Sequence, residues 1–136
     1  MLQFYFLSIV LNAACGYILF SDNGEKEISS EGGFEFSPEN GIFRLILGIA
    51  SLLVGILKLL SVTQGDVPVI GDLLPALMGA LTGFVFIFAH FKRRSSLDMG
   101  NTEKLEGAIN KHSKWIGLAA MIIAGLHFLF PTVLLL

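Results

Sequence analysis

The chain has 136 residues, 54% of them apolar and only 15% charged, with a mean hydropathy of +0.74. That balance lies outside the soluble range, and the length allows one domain. A net charge of -2 offers no basic face able to neutralise many phosphates, which excludes nucleic acid as a partner, and a single cysteine excludes an internal disulfide or a thiolate metal cage.

Four apolar stretches occupy about residues 1–20, 42–60, 70–91 and 115–136, none with Asp or Glu in its interior. About 20 residues rising about 1.5 Å each cover a hydrocarbon core of roughly 30 Å. The fold class expected is all-α: a polytopic membrane protein with four transmembrane helices in an up-down bundle, one domain spanning 1–136. The first stretch reads as a span, because no Lys or Arg precedes its apolar run as a cleaved leader requires.

The first connection, 21–41, opens on the turn signal Ser21-Asp22-Asn23-Gly24. Glu27-Ile28-Ser29-Ser30 and Phe34-Glu35-Phe36-Ser37 flank Gly32-Gly33 as a small hairpin. Ser37-Pro38-Glu39 reads as N-cap, N1 proline and first-turn acid, which starts the second helix near Pro38. In the second connection, Gly65-Asp66-Val67-Pro68 and Gly71-Asp72-Leu73-Leu74-Pro75 repeat an acidic cap before a helix-compatible proline. In the third, 92–114, Leu105, Ala108, Ile109 and His112 recur at helical spacing after a Thr102 cap. The fourth helix should begin near Glu103 and enter the membrane through Trp115, whose indole suits the interface.

Basic residues mark the cytoplasmic side of a membrane protein. Lys92, Arg93, Arg94, Lys104, Lys111 and Lys114 crowd the third connection, Lys26 and Arg44 belong to the first, and Lys58 alone lies toward the other side. Both long connections are therefore expected in the cytoplasm and both termini outside, in the cell's inner (cytoplasmic) membrane.

Each span carries a seam of small or polar residues at three- and four-residue spacing. The first has Tyr5, Ser8, Asn12 and Cys15, and the second Arg44, Gly48, Ser51, Gly55 and Lys58. The third has Ala76, Gly79, Gly83, Phe86 and His90, and the fourth Gly117, Ala120, Ala124, His127 and Pro131. Lipid gives helices no hydrophobic reason to associate, so close packing over small residues is the main force available, and the seams should face one another. Gly79-x-x-x-Gly83 suits either an internal contact or a homodimer. Laying Gly55 on Gly125 and Gly16 on Gly83 overlays the second helix on the fourth and the first on the third, an arrangement of two helical hairpins in parallel orientation.

Asn12, Ser51 and His127 fall near the midplane by residue count, with Lys58 nearer the outer surface. Together they form a candidate intramembrane polar site, either a pocket in which His127 exchanges a proton beside Lys58, or a set of interhelical hydrogen bonds. Arg44, His90 and His112 gather at the cytoplasmic edge. No Ser/His/Asp set, phosphate-binding glycine loop or membrane carboxylate pair is present, so no catalytic residue, metal site or cofactor is assigned.

The second span reads Arg44-Leu-Ile-Leu-Gly48-Ile-Ala-Ser-Leu-Leu-Val-Gly55-Ile-Leu-Lys58-Leu59. This spacing of Arg, Gly, Gly and Lys-Leu resembles the first helix of DoxX-like proteins, small four-helix membrane proteins some of which associate with quinone-linked oxidoreductases. The run from Gly125-Leu126-His127-Phe128 to Pro131 looks like a variant among their relatives. The chain departs from that pattern by placing a helix and an acidic loop ahead of the motif. Three functions follow as expectations. A non-catalytic accessory or assembly subunit with a membrane partner or further copies of itself leads; a quinone- or redox-linked component is second, and a small-solute carrier, lacking the expected membrane carboxylate, is third.

Overall fold

A computed structural model describes residues 2–22, 36–60, 73–95 and 100–130. Four helices account for nearly all of them: α1 (Leu2–Ser21), α2 (Gly41–Leu60), α3 (Leu73–Arg94) and α4 (Gly100–Leu129). All four are long and apolar enough to cross a membrane, and helices satisfy their own backbone groups where no water is available to do so. The hairpin expected around Gly32-Gly33, the turns of the second connection before Leu73, and residues 131–136 of the fourth span lie outside the described residues.

Side chains are distributed inside out. The buried face of α2 is Gly41, Gly48, Ser51, Val54, Gly55 and Lys58, while Ile46, Ile49, Leu53, Ile56, Leu57 and Leu60 stand outward, 42% to 73% exposed. Small and polar groups inside, with a continuous large apolar face outside, would aggregate in water and suit lipid. The chain is a membrane protein.

Helix starts differ from the sequence expectation by a few residues, for reasons visible in the caps. Asn40, rather than Ser37, caps α2: its Oδ1 accepts from the amides of Ile42 at 2.9 Å and Phe43 at 3.1 Å. Ser37-Pro38-Glu39 instead makes the turn before it, closed by the Asn40 amide donating to the Ser37 carbonyl at 3.0 Å. An Asn side chain placed one residue before the helix satisfies two orphan amides at once, which outweighs the favourable fit of proline at the first helical position. α4 starts at Gly100, ahead of the Thr102 cap, so much of the third connection is helical.

The closest helix pairs are α2 with α3 and α1 with α4, both antiparallel. Glycine sets each approach. A Cβ at Gly83 would sit 2.6 Å from the Gly48 carbonyl oxygen and 2.7 Å from the Leu52 amide; one at Gly117 would sit 2.6 Å from both the Gly16 carbonyl oxygen and the Phe20 amide. The Gly79/Gly83 motif thus serves an internal contact. Gly79 lies against Ser51, with its missing Cβ 3.2 Å from the Ser51 carbonyl oxygen.

These contacts repeat. With Gly16 laid on Gly83, the buried residues Ser8, Asn12, Cys15, Ile18 and Leu19 of α1 fall on Pro75, Gly79, Thr82, Val85 and Phe86 of α3, all buried. With Gly48 laid on Gly117, Ser51, Gly55 and Lys58 of α2 fall on Ala120, Ala124 and His127 of α4, again all buried. A Cβ at Gly16 would meet the Met121 amide just as one at Gly83 meets that of Leu52, the residue matching Met121. The pairing of Gly16 with Gly83 stands, but that of Gly55 with Gly125 is corrected by one residue: Gly125 has open space around it, and Ala124 occupies the inner position. The tight pairs form between the two repeats, not within each hairpin.

Candidate intramembrane polar site

The repeat places unlike residues at equivalent inner positions, and their differences build the polar core. Where α1 has Asn12, α3 has Gly79, and the glycine leaves room for the amide: its absent Cβ would be 3.5 Å from Asn12 Oδ1. Asn12 Nδ2 donates to the Pro75 carbonyl at 3.0 Å, joining α1 to α3. Ser51 Oγ donates to the Gly79 carbonyl at 3.0 Å, joining α2 to α3, and lies 3.4 Å from Thr82 Oγ1. Thr82 donates back to the Met78 carbonyl at 2.8 Å. The Cys15 thiol sits beside both hydroxyls. Asn12, Cys15, Ser51 and Thr82 are each no more than 1% exposed, so this layer is closed. Asn12 Oδ1 is a buried acceptor with no hydrogen bond among the described residues.

Ser51→Ala removes one interhelical donor whose acceptor keeps its helical bond. Such bonds average about 0.6 kcal/mol in membranes, so the expected result is a small fall in unfolding free energy, below about 1 kcal/mol, in a detergent titration.

A second layer lies about two helical turns, or about 10 Å, further along the bundle. Lys58 Nζ lies 2.9 Å from His127 Nε2, and the two residues are 8% and 0% exposed. Either the ammonium donates to a neutral imidazole protonated at Nδ1, or Nε2–H donates to a neutral amine; both arrangements hold one proton between the two nitrogens. Tyr5 completes the group. Its hydroxyl donates to the His127 carbonyl at 2.7 Å, its ring lies 4.7 Å from the imidazole, and Lys58 Nζ stands 5.8 Å from its centroid. α2 and α4 approach nowhere within 8 Å between Cα atoms, so the Lys58–His127 bond reaches across the bundle diagonal. Lys58 and His127 occupy equivalent positions of the repeat.

His127 is therefore not at the depth of Asn12 and Ser51, where residue counting placed it. Counting assumed a span ending at residue 136, whereas the crossing of Gly117 over Gly16 fixes the register and carries His127 up to Tyr5. At the other end, Arg44 bonds Asp22 at 2.7 Å and the Pro38 carbonyl at 2.6 Å, while His90 lines a recess with Arg44. His112 does not join them: it is exposed and its Nδ1 lies 2.9 Å from the Ala108 carbonyl of its own helix. Among the described residues no group of three or more His, Cys, Asp or Glu side chains is placed to hold a metal. Sequence reasoning passed over Thr82, whose signal is its place opposite Cys15 in the repeat, and left Tyr5 in a seam without a role.

A protein-family model matches residues 1–127, which take in both polar layers up to His127. An uncharacterised protein of Treponema pallidum (strain Nichols) is 32% identical over 136 residues, covering 99% of this chain and 100% of the relative. The chain belongs to the family that these two matches define. No solved structure matches it. Neither match supplies an activity for this chain.

Proposed function

We propose that the chain is a non-catalytic accessory or assembly subunit of the cytoplasmic membrane, with its long connections in the cytoplasm and α1 entering from outside. The observation that carries this reading is the closed middle layer. Asn12, Ser51 and Thr82, the polar groups nearest the centre, each bond a helix carbonyl at 2.8 to 3.0 Å with at most 1% exposure. The Asn12 and Ser51 bonds hold helices together, and the three side chains leave no room for a substrate among them. Gentle extraction followed by native mass measurement tests this. The expected result is a particle heavier than the 14.8 kDa chain, containing further copies or another membrane protein; a chain always alone that turns over a substrate contradicts it.

The second reading is a quinone- or redox-linked component, in keeping with the DoxX-like resemblance of 44–59. It is favoured by one contact, the Lys58–His127 bond beside Tyr5. Two nitrogens sharing a proton next to a phenol are suited to donate to a carbonyl oxygen and to pass a proton to it. Under this reading His127→Phe abolishes a quinol-induced spectral change while the protein assembles normally. Under the accessory reading the wild-type titration is featureless and His127→Phe alters only assembly or stability.

A further inference from the structure

We propose that the cleft at the Arg44 end of the bundle binds the phosphate of an anionic phospholipid. It encloses about 660 Å³, within the roughly 300 to 1,000 Å³ of small-molecule sites. The cleft opens where the tight α1–α4 and α2–α3 pairs meet less closely. Its rim carries Arg44, Lys92, Arg93, Lys111 and Lys114, drawn from three helices, against two carboxylates, Asp22 and Glu106. Both carboxylates are engaged, Asp22 with Arg44 at 2.7 Å and Glu106 with Lys92. Arg93, Lys111 and Lys114 are in excess, and the neighbouring recess of about 180 Å³ adds Arg94 to the same basic field.

The other wall is apolar: Leu19, Val85, Phe86, Phe88 and Ile109. A soluble phosphate would engage the rim and leave that wall wet, whereas a phospholipid covers it with its glycerol and upper acyl carbons. Depth agrees. Trp115, 71% exposed and next to Lys114, marks the headgroup level on α4, and basic recesses between helices at that level attract acidic headgroups. This site stands apart from the polar core and does not depend on the accessory role.

The test uses the full chain in mild detergent, equilibrated with phosphatidylglycerol or phosphatidylcholine and read by native mass spectrometry. Wild type is expected to retain phosphatidylglycerol preferentially. At about fivefold per cation, Arg93→Gln with Lys114→Gln weakens retention about 30-fold, and Lys104→Gln, exposed on α4 outside the cleft, leaves it unchanged. Should the first double variant not fold, Lys111→Gln with Lys114→Gln, both exposed on α4, takes its place with the same expected loss. Equal retention of the two lipids, or a folded double variant that retains phosphatidylglycerol as wild type does, overturns the proposal. Inorganic phosphate and glycerol 3-phosphate form the soluble arm. Protection by either against thermal unfolding equal to that of phosphatidylglycerol assigns the cleft to a free phosphate and overturns the lipid assignment.

Discussion

Gly83→Leu is expected to separate α2 from α3 and leave no stably folded bundle. Any Cβ at residue 83 meets backbone, the Gly48 carbonyl oxygen at 2.6 Å and the Leu52 amide at 2.7 Å, so no rotamer change relieves the clash and one helix must move. Overpacking a core costs about 1 to 3 kcal/mol when side chains can yield. Here they cannot, and the cost should exceed about 3 kcal/mol, a large part of a membrane bundle whose helices gain nothing from hydrophobic association. Gly117→Leu is the equivalent change on the α1–α4 pair, 2.6 Å from the Gly16 carbonyl oxygen, and should be as damaging. Gly125→Ala, with nothing within 4 Å, should stay within about 0.5 kcal/mol of wild type. Unfolding titrations of the four proteins measure the contrast. Tolerance of Gly83→Leu would contradict the pairing.

The second large effect belongs to Lys58 and His127. A bond involving a charged group is worth about 1.5 to 3 kcal/mol, against about 0.6 kcal/mol for an ordinary interhelical bond. In the arrangement with the Lys58 ammonium donating, the larger figure applies, because the nitrogens lie 2.9 Å apart and both residues are buried. His127→Phe should cost more than Lys58→Met, since it also leaves the Tyr5 ring without its imidazole neighbour. In the double variant Lys58→Met, His127→Phe the costs should fall short of additive by about 1 kcal/mol or more, as expected for residues in direct contact. Strict additivity in a double-mutant cycle would show that the contact carries no energy.

The helices themselves were legible because a bilayer demands long apolar runs, and the runs at 42–60 and 70–91 coincide with most of α2 and α3. The seams were legible too. Ser8, Asn12 and Cys15 on α1, and Gly48, Ser51, Gly55 and Lys58 on α2, are among the buried residues, because small and polar groups are the ones that lipid does not favour outside. Tyr5 and Arg44 of the same seams are half-buried, and the buried Ile18, Leu19 and Val54 lie outside the seams. What periodicity does not encode is which seam faces which, or how far each helix slides along its neighbour. That register is set by backbone contacts such as Gly16 to Gly117, and it moved His127 to the layer of Lys58 and Tyr5. The repeat sets Gly55 against Ala124 and not Gly125, because alanine is small enough for the inner position and glycine identity alone does not mark it. The cleft was out of reach for the same reason. Arg44, Arg93 and Lys114 lie far apart in the chain, and only the bundle brings them to one rim.

Two glycine-locked helix pairs meet at a closed polar layer formed by α1, α2 and α3. Cys15 is the sole cysteine and lies beside Ser51 in that layer, so Ser51→Cys creates one dithiol at the heart of the bundle. Iodine oxidation in native membranes should close an intramolecular Cys15 bridge in this variant. It should leave Leu53→Cys, whose native side chain is 54% exposed on the outer face of α2, unbridged within the chain. A bridge in Leu53→Cys, or none in Ser51→Cys, would contradict the arrangement.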